Sequence, residues 1–526
     1  MKTIQSPRIW DTLTRNARHM GWLMAVVLML TACSDNDGGG QSGQLPTITF
    51  PVASARYRME LGSELEIIPR CEYVDEHSTY EWIMDGKVIG REASYTFVAE
   101  ELGEYYITVK VTNAFGTTED ELKITVIKVD ELAENESGEG LFTPNDSVFA
   151  WKFPWISINI PSGRTLKVKA YMIENDLDGT YTWTLDGNVV SEPYTQKEKG
   201  EIAWVLDTEG LAQGAHTLRL TMKNDTCEVS QTFDICVCPA EGTYQRAKTA
   251  SSTSLVNKVY EFMPAPGHQV NGYTIVGDMI RGGASMEEAC DTVLNHWKKM
   301  WSVSLGAQGG YVIAGFDHSV VNSGDYDLAI KGNPFSYQSE PGIIWVSQDV
   351  NGDGLPNDPW YELAGSEYGK DTQTLEYAIT YYKPKAPQSK TAWKDCFGQT
   401  GIVPYMQLWN THAYYWQDWV EGTEHTYFGT RLKDTHTYES GYTMEPAFDW
   451  GYADNAGSDY FKNSSFDTIN AMGYYKISNA KTWDGKNANL QYIDFVKVQT
   501  AQTGYSPNLG DISTEVYGIW DCHIMK

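Results

Sequence analysis

Two stretches of the chain repeat one pattern of alternating apolar and polar residues. The segment 80–89 (YEWIMDGKVI) returns at 181–190 (YTWTLDGNVV), and 103–113 (GEYYITVKVTN) returns at 214–224 (GAHTLRLTMKN). The first segment of each pair predicts a strand, an Asp-Gly hairpin turn and a second strand. The later segment predicts a strand with one apolar face. A tryptophan that faces a later alternating strand is typical of immunoglobulin-type sandwiches.

The pattern of the first copy, Y-x-W-x-x-D-G followed by G-x-Y-x-x-x-V-x-V-T-N, resembles the PKD family of extracellular β-sandwiches, and the second copy resembles it more loosely. The two copies predict a first PKD/Ig-like domain at residues 46–128 and a second at 130–238. The resemblance implies that such modules are spacers. We therefore expect Trp82 and Trp183 in the domain cores, and we interpret residues 239–255 as a linker.

Short β-rich runs dominate the rest of the chain and predict a third domain at residues 256–526. Gly, Asn and Asp residues separate these runs. The clearest runs lie at 311–316, 326–330, 342–348, 377–383 and 494–500. One helix is predicted after Ser285, which forms a capping box with Glu288. The prediction is an all-β protein, with two small PKD-like sandwiches followed by a larger jelly-roll-like β-sandwich that carries one helix.

The first residues carry a different pattern, basic and then apolar. The apolar run 21–30 (GWLMAVVLML) is too short to cross a hydrocarbon core about 30 Å thick, so residues 1–32 are predicted to be a signal peptide. Leu30-Thr31-Ala32-Cys33 resembles the lipobox of bacterial lipoproteins, which implies cleavage before Cys33 and acylation of that residue. A plain secretory signal with a chance cysteine is the alternative.

Residues 33–45 form an acidic, Gly-rich tether behind Cys33. This arrangement resembles the surface-export signal of certain Gram-negative outer-membrane lipoproteins. The expectation is a lipid-anchored protein on the outer face of the outer membrane, attached through lipid alone.

Composition narrows the classes of partner. The chain has 526 residues, with 40 Lys and Arg against 69 Asp and Glu, for a net charge of −29. This charge argues against nucleic acid, since phosphate binding needs a positive face. Aromatic residues reach 13%, which favours an extracellular β-protein that binds neutral ligands. Apart from Cys33, seven cysteines remain, an odd number that cannot all pair.

The segment that follows the run 342–348 predicts a calcium loop. Oxygen side chains stand at positions 1, 3 and 5 and Gly354 at position 6, as in an EF-hand loop, whereas position 12 is Trp360 instead of glutamate. We expect a structural Ca²⁺ that ties residues 342–348 to 360–363, and a metal-free acidic turn is the alternative. The candidate ligands are Asp349, Asn351, Asp353, Leu355, Asn357 and Asp358.

Aromatic residues are densest between 400 and 485 and do not alternate cleanly. They cannot all point into one core, and exposed aromatic patches mark binding sites. The candidate ligand-binding residues are Trp409, Tyr414, Tyr415, Trp416, Trp419, Trp450, Tyr452 and Trp483. Core packing is the alternative for each single ring.

Motifs of catalysis are absent from the sequence. It contains no G-x-S-x-G elbow, no H-E-x-x-H pair and no G-x-G-x-x-G after a predicted strand. Carboxylate pairs are uninformative in a chain with 69 acidic residues. The prediction is a protein that is not an enzyme and has no catalytic residues.

The third domain resembles, almost throughout, a family of PKD-containing cell-surface lipoproteins of Gram-negative gut-type bacteria. Members with this layout are similar to BtuH-type vitamin B12-binding surface lipoproteins. The segments that carry the resemblance are YEFMPAPGHQVN (260–271), SVSLGAQGGYVIAGFDHSVVN (302–322), YDLAIKGNPF (326–335), SEPGIIWVSQDVNGDGLPNDPWYELAGSE (339–367), ITYYKP (379–384), FGTRL (428–432) and DFVKVQT with GDISTEVYGIWD (494–521).

The resemblance implies that cobalamin or another corrinoid is bound as a ligand, not as a catalytic cofactor, and is handed to a TonB-dependent outer-membrane transporter. A corrinoid is large and fringed with amides, which suits tryptophan and tyrosine faces beside polar side chains. The same features suit a glycan. A carbohydrate-binding lipoprotein of a glycan-uptake system is therefore the alternative. A surface enzyme that acts on glycans and a purely structural or adhesive protein follow it.

Overall fold

The structure is a computed structural model and describes residues 44–50, 56–62, 64–127, 150–174, 179–268, 270, 284–335, 337–384, 389–405, 415–439, 442–462, 471–506 and 510–525. The predicted signal peptide, Cys33 and most of the tether lie outside these residues. In the described part of the chain, no helix is long and apolar enough to span a membrane.

The first domain is a β-sandwich. Its strands are β1 (Thr47–Thr49), β2 (Arg56–Glu60), β3 (Glu64–Ile67), β4 (Arg70–Glu72), β5 (Thr79–Met84), β6 (Lys87–Gly90), β7 (Tyr95–Val98), β8 (Gly103–Asn113) and β9 (Gly116–Ile127). The main sheet has the order β2-β9-β8-β5-β6, and β1-β4 and β3-β7 form two further pairs. Trp82 is buried at its centre and donates its Nε1–H to the Glu92 carbonyl at 2.9 Å.

The second domain repeats this architecture. Its elements are β10 (Ala150–Lys152), β11 (Ser157–Pro161), β12 (Thr165–Lys169), β13 (Met172–Glu174), β14 (Thr180–Leu185), β15 (Asn188–Val189), the short helix α1 (Gln196–Lys199), β16 (Ala203–Asp207), β17 (Gly214–Lys223) and β18 (Glu228–Cys238). The main sheet has the order β11-β18-β17-β14-β15, the same path as in the first domain, with a parallel first pair in both. The buried Trp183 occupies the place of Trp82, which confirms the repeat.

In its described residues, the third domain contains twenty strands and one longer helix. These are β19 (Lys258–Met263), α2 (Met286–Trp297), β20 (Val303–Ser304), β21 (Tyr311–Val321), β22 (Leu328–Lys331), β23 (Gly342–Ser347), β24 (Trp360–Leu363), β25 (Gln373–Tyr382), β26 (Thr391–Asp395), β27 (Thr400–Val403), β28 (Glu424–Leu432), β29 (Thr437–Glu439), β30 (Tyr442–Met444), β31 (Tyr460–Phe461), β32 (Met472–Tyr475), a 3₁₀ turn (Ile477–Asn479), β33 (Ala480–Lys481), β34 (Tyr492–Thr500), β35 (Tyr505–Ser506), β36 (Gly510–Asp511), β37 (Glu515–Val516) and β38 (Gly518–Asp521). The all-β prediction is confirmed.

Three sheets enclose the cores of this domain. The central sheet has the order β19-β21-β34-β23-β24-β33, and the four-stranded sheets have the orders β31-β32-β22-β38 and β27-β26-β25-β28. Apolar residues of the central sheet, the first of these two four-stranded sheets and α2 form the main core. A second core, rich in tyrosine, lies under the sheet β27-β26-β25-β28.

Helix α2 begins and packs as its sequence predicts. Ser285 and Glu288 form the reciprocal capping box. Ala289, Val293 and Trp297 lie on the buried face, as the spacing of the apolar residues requires.

The second domain is docked on the third by polar and aromatic contacts. Lys169 Nζ lies 2.6 Å from Glu376 Oε2, and Lys167 contacts the same carboxylate. The Tyr171 and Phe428 rings meet edge to face, with 5.3 Å between their centroids. The second domain therefore does not behave as an isolated spacer in this structure.

All seven cysteines in the described residues are free. Cys238 is buried, whereas Cys236 is half-buried, and the Cys238 thiol points back to the Cys236 carbonyl at 3.6 Å. Burial raises the pKa of Cys238 to about 12. Such a thiol is protonated and unreactive at neutral pH, in agreement with a packing role.

Candidate functional site

Three of the predicted ligand-binding rings are part of the protein interior. Tyr415, Trp416 and Tyr452 are buried, and Trp419 is half-buried with its Nε1–H donated to the Phe262 carbonyl at 3.1 Å. The prediction of an exposed surface is corrected for the three buried rings. Trp409 and Tyr414 lie outside the described residues.

The burial of Tyr415 and Trp416 has a simple physical cause. This irregular segment folds against the second core of the third domain, where Tyr415 stacks on Tyr405 with 5.1 Å between ring centroids. The Trp416 Nε1–H is donated to the Val420 carbonyl at 3.3 Å. Alternation describes strands, so it cannot predict which rings of a folded-back loop point inward.

Two of the predicted rings remain at the surface. Trp450 is 37% exposed and Trp483 is 40% exposed. The loop 365–370 joins their segments, because the Ser366 amide donates to the Trp450 carbonyl at 2.9 Å and the Lys481 ammonium lies over the Tyr368 ring. We call Trp450, Tyr368 and Trp483 the aromatic ridge. Tyr368 was not predicted, because it stands alone in its segment.

Charged side chains accompany the aromatic ridge. Glu367 Oε2 accepts a hydrogen bond from Thr372 at 2.6 Å, and Lys370 contacts its other oxygen. Burial acts to raise the pKa of Glu367, but these hydrogen bonds outweigh it and lower the pKa. Hydrogen bonds from Lys486 and Thr482 lower the pKa of Asp484 in the same way. The ridge therefore presents ring faces next to ionised hydrogen-bond acceptors at neutral pH.

The predicted cation loop connects β23 to β24 and has the hydrogen bonds of a wrapped turn. Asp349 accepts the Gly352 amide at 2.7 Å and the Gly354 amide at 3.0 Å. Asn351 accepts the Asp353 amide, and Asp353 accepts the Leu355 amide. Gly352 and Gly354 have φ of +76° and +73°, values that favour glycine. The loop therefore gathers the oxygens of Asp349, Asn351 and Asp353.

One predicted ligand, Asn357, bonds to a partner outside the loop. Its Oδ1 accepts the Asn159 Nδ2–H of the second domain at 2.8 Å, while its own Nδ2–H is donated to Asp353. Leu355 has no side-chain oxygen, so its backbone carbonyl is the oxygen it offers to a cation. Asn357 therefore links the loop to the second domain rather than closing the loop.

Asp358 is the least compensated group near the loop. It is 2% exposed, and neither carboxylate oxygen has a hydrogen-bond partner. Burial raises its pKa to about 9, and the charges of Asp349 and Asp353 act in the same direction. The Val350 amide opposes this rise without completing a hydrogen bond. A bare buried carboxylate is costly unless a proton or a cation neutralises it.

A second acidic group escaped the sequence analysis. The carboxylate oxygens of Glu340, Asp454 and Glu515 lie within 4.8 Å of one another. Backbone amides satisfy part of this group, since Ser513 donates to Glu340 at 2.9 Å and Glu515 donates to Asp454 at 2.9 Å. Burial raises all three pKa values, that of Glu515 to about 7. The group could share protons or hold a cation. Its members come from three distant segments, so no motif signals it.

Comparisons with known proteins support the class of fold. Residues 46–113 match the family model described as a PKD-like domain. No curated protein matches the chain. Together with the repeated topology, this match defines the chain as an all-β protein that contains two immunoglobulin-type sandwiches. More particularly, it contains a PKD-like domain at residues 46–113.

Several solved structures are similar at low sequence identity. Fibronectin(III)-like modules of CbhA from Clostridium thermocellum share 16% identity over 39% of this chain and 100% of that chain, with a TM-score of 0.15. The titin domains Z1Z2, solved in complex with telethonin, share 15% over 38% and 98%, with a TM-score of 0.14. The PKD domain of human KIAA0319 shares 18% over 18% and 93%, with a TM-score of 0.15.

Proposed function

We propose that the protein is a lipid-anchored, surface-exposed outer-membrane protein whose third domain binds a bulky ligand without transforming it. The resemblance of Leu30–Cys33 to a lipobox supports the anchor at Cys33. PKD-like and immunoglobulin-like modules are typically non-catalytic, which supports a binding role over an enzymatic one. The observation that carries the proposal is the aromatic ridge, where two tryptophans stay exposed on a rigid sandwich.

The ligand that we propose first is cobalamin or another corrinoid, passed on to a TonB-dependent outer-membrane transporter. A corrinoid offers a broad face that stacks on indole rings and amide groups that donate to carboxylates. Glu367 and Asp484 supply such acceptors beside Trp450 and Trp483. Preorganisation favours affinity, because hydrogen bonds hold the turns that carry the ridge: the Ser366 amide donates to the Trp450 carbonyl at 2.9 Å, and the Trp483 Nε1–H donates to Thr165 Oγ1 at 3.0 Å.

A carbohydrate is the second candidate, and the same carboxylates favour it. Sugar rings place apolar C–H faces on tryptophan and donate hydroxyl groups to acidic side chains. Both carboxylates can accept hydrogen bonds from these hydroxyls. Glu367 is partly exposed, and Asp484 is exposed and follows Trp483 directly in the chain. A glycan-uptake system would then replace vitamin uptake as the setting.

Calorimetric titration of the full chain separates these ligands. Cyanocobalamin and a panel of soluble glycans are added in turn to the wild type and to Trp450→Ala and Trp483→Ala variants. Removing a stacking ring is expected to weaken binding by about 1–3 kcal/mol. Trp301→Ala is the matched control, because Trp301 is 53% exposed but lies beside His296 near α2, away from the ridge.

The outcomes are distinct. Heat with cyanocobalamin that falls in both ridge variants and not in Trp301→Ala supports the corrinoid proposal. Heat with a glycan but not with cyanocobalamin, reduced in both ridge variants and unchanged in Trp301→Ala, supports the carbohydrate candidate instead. Binding that is equal in all four proteins rejects the ridge as the site.

A further inference from the structure

The loop between β23 and β24 lies at a junction of three parts of the molecule. The Asn159 amide of the second domain donates to the Asn357 carbonyl at 3.1 Å. On the other side, Gly352 is packed so closely on Tyr244 of the linker that an added Cβ would lie 2.5 Å from its ring. The loop therefore contacts the second domain and the linker while belonging to the third domain.

Negative charge around this loop exceeds the positive charge that faces it. Asp349 and Asp353 belong to the loop, and Asp494 of β34 accepts the Asp349 amide at 2.9 Å. Arg246 pairs with Asp494 through an Nη2 to Oδ1 distance of 2.9 Å. One guanidinium balances one of these three carboxylates, which leaves the charge of the loop itself uncompensated.

The unpartnered Asp358 points to a ligand rather than to a plain turn. An acidic turn without metal would satisfy its carboxylates with backbone amides, as Asp349 does. Asp358 instead is buried with both oxygens free of hydrogen bonds, beside Asp349 and Asp353. Oxygen ligands of this kind are what a hard divalent cation requires, and a cation would remove the cost of burying them.

We propose that the Asp349–Asp358 loop binds a calcium-type divalent cation, and that the bound ion fixes the second domain against the third. The oxygens of Asp349, Asn351 and Asp353 form one side of the site, and Asp358 closes it. Asn357 transmits the effect, because it bonds to Asp353 inside the loop and to Asn159 outside it. Ordering the loop around an ion therefore orders the contact between the domains.

Calcium binding is tested on the full chain after chelator treatment. Calorimetric titration with CaCl₂ is expected to show one site, and added calcium is expected to raise the melting temperature. Asp358→Asn keeps the size of the side chain and replaces one carboxylate oxygen by an amide nitrogen, which does not bind Ca²⁺. Calcium affinity should therefore fall about tenfold or more, since even outer-shell changes at metal sites cost about 10–100-fold. Asp371→Asn, at an exposed turn of the same domain, is the control and should bind as the wild type does.

Two results would overturn the cation site: no heat and no melting shift in the wild type, or equal binding by the wild type and Asp358→Asn. MgCl₂ acting as strongly as CaCl₂ would overturn the assignment of the site to a calcium-type ion. Circular dichroism establishes that the variant is folded. None of these results depends on cobalamin or glycans, so the failure of this proposal is distinguishable from failure of the proposed function.

Hydrogen exchange tests the coupling between the domains. The backbone amide of Asn159 is the reporter, because its hydrogen bond crosses to Asn357. Calcium is expected to slow its exchange in the wild type and to have no effect in Asp358→Asn. Slowing that is confined to residues 349–358, with the Asn159 amide unchanged, would overturn the coupling and leave a purely local site.

Discussion

The buried Glu362 predicts how the stability of the third domain changes with pH. Glu362 lies on β24 and is 4% exposed. Gln373 Nε2 donates to one carboxylate oxygen at 2.6 Å and Thr430 Oγ1 to the other at 2.5 Å. Burial raises its pKa to about 7, although both hydrogen bonds act to lower it.

The sign of the effect follows from this raised pKa. An unfolded glutamate releases its proton near pH 4.5, whereas the folded one keeps it until about pH 7. Between these values the folded state binds more protons, so stability is fully present below pH 4.5 and falls as the pH rises to 7. At about 1.4 kcal/mol per pH unit, the loss from Glu362 amounts to about 3 kcal/mol.

The assay is urea unfolding of the wild type and of Glu362→Gln at several values between pH 4.5 and 8. The oxygen of the new amide can still accept the hydrogen bond from Gln373. The Thr430 hydroxyl can rotate and accept a hydrogen bond from the nitrogen of the new amide. The quantity to compare is the unfolding free energy of the variant minus that of the wild type. We expect this difference to shift by about 3 kcal/mol in favour of the variant between pH 4.5 and pH 8. Other buried acids, such as Glu515, contribute equally to both proteins and cancel.

Glu287→Gln is the control, because Glu287 is exposed on α2 and its substitution should leave the pH slope unchanged. A Glu362→Gln protein whose stability falls with pH as steeply as that of the wild type would refute the reasoning. It would mean that the folded protein holds Glu362 ionised at little cost.

Three further substitutions test the packing of the domains. Trp82→Ala should destabilise the first domain by about 3–5 kcal/mol in thermal unfolding, because the ring is fully buried. As a control, the same change at the exposed Trp301 should cost far less. Glu376→Gln should weaken the contacts of Lys167 and Lys169 with the third domain and leave their contacts with Glu201. Faster proteolysis of the second domain would report the loosened contact, while unchanged proteolysis would contradict it. Gly306→Ala should give little folded protein, because Gly306 has a φ of +72° and a Cβ at this position would lie 2.0 Å from the Ala265 carbonyl oxygen. Expression and a melting temperature equal to those of the wild type would refute this prediction.

Much of the fold was predictable because its signals are local. The repeated strand and turn patterns of the first two domains predicted their common topology and the burial of Trp82 and Trp183. The capping box at Ser285 predicted where α2 begins. In the third domain, the apolar runs predicted strands that the structure contains, such as β21 and β34.

The candidate site was predicted only in part. The spacing of Asp349, Asn351 and Asp353 indicated a wrapped loop, and this geometry depends on neighbouring residues alone. The aromatic prediction failed for Tyr415, Trp416 and Tyr452, which are buried in the cores. Composition predicts how many rings a domain has, but it does not predict which of them the irregular segments turn inward.

The sequence by itself determined the all-β class, the internal repeat and the loop that gathers oxygen side chains, since each follows from contacts between residues near each other in the chain. Tertiary structure alone decided that Asn357 bonds to Asn159, that Asp358 is buried without a partner and that the loop of Tyr368 contacts the segments of Trp450 and Trp483. These features join segments far apart in sequence. Their positions depend on how whole sheets and domains pack, which no local pattern specifies.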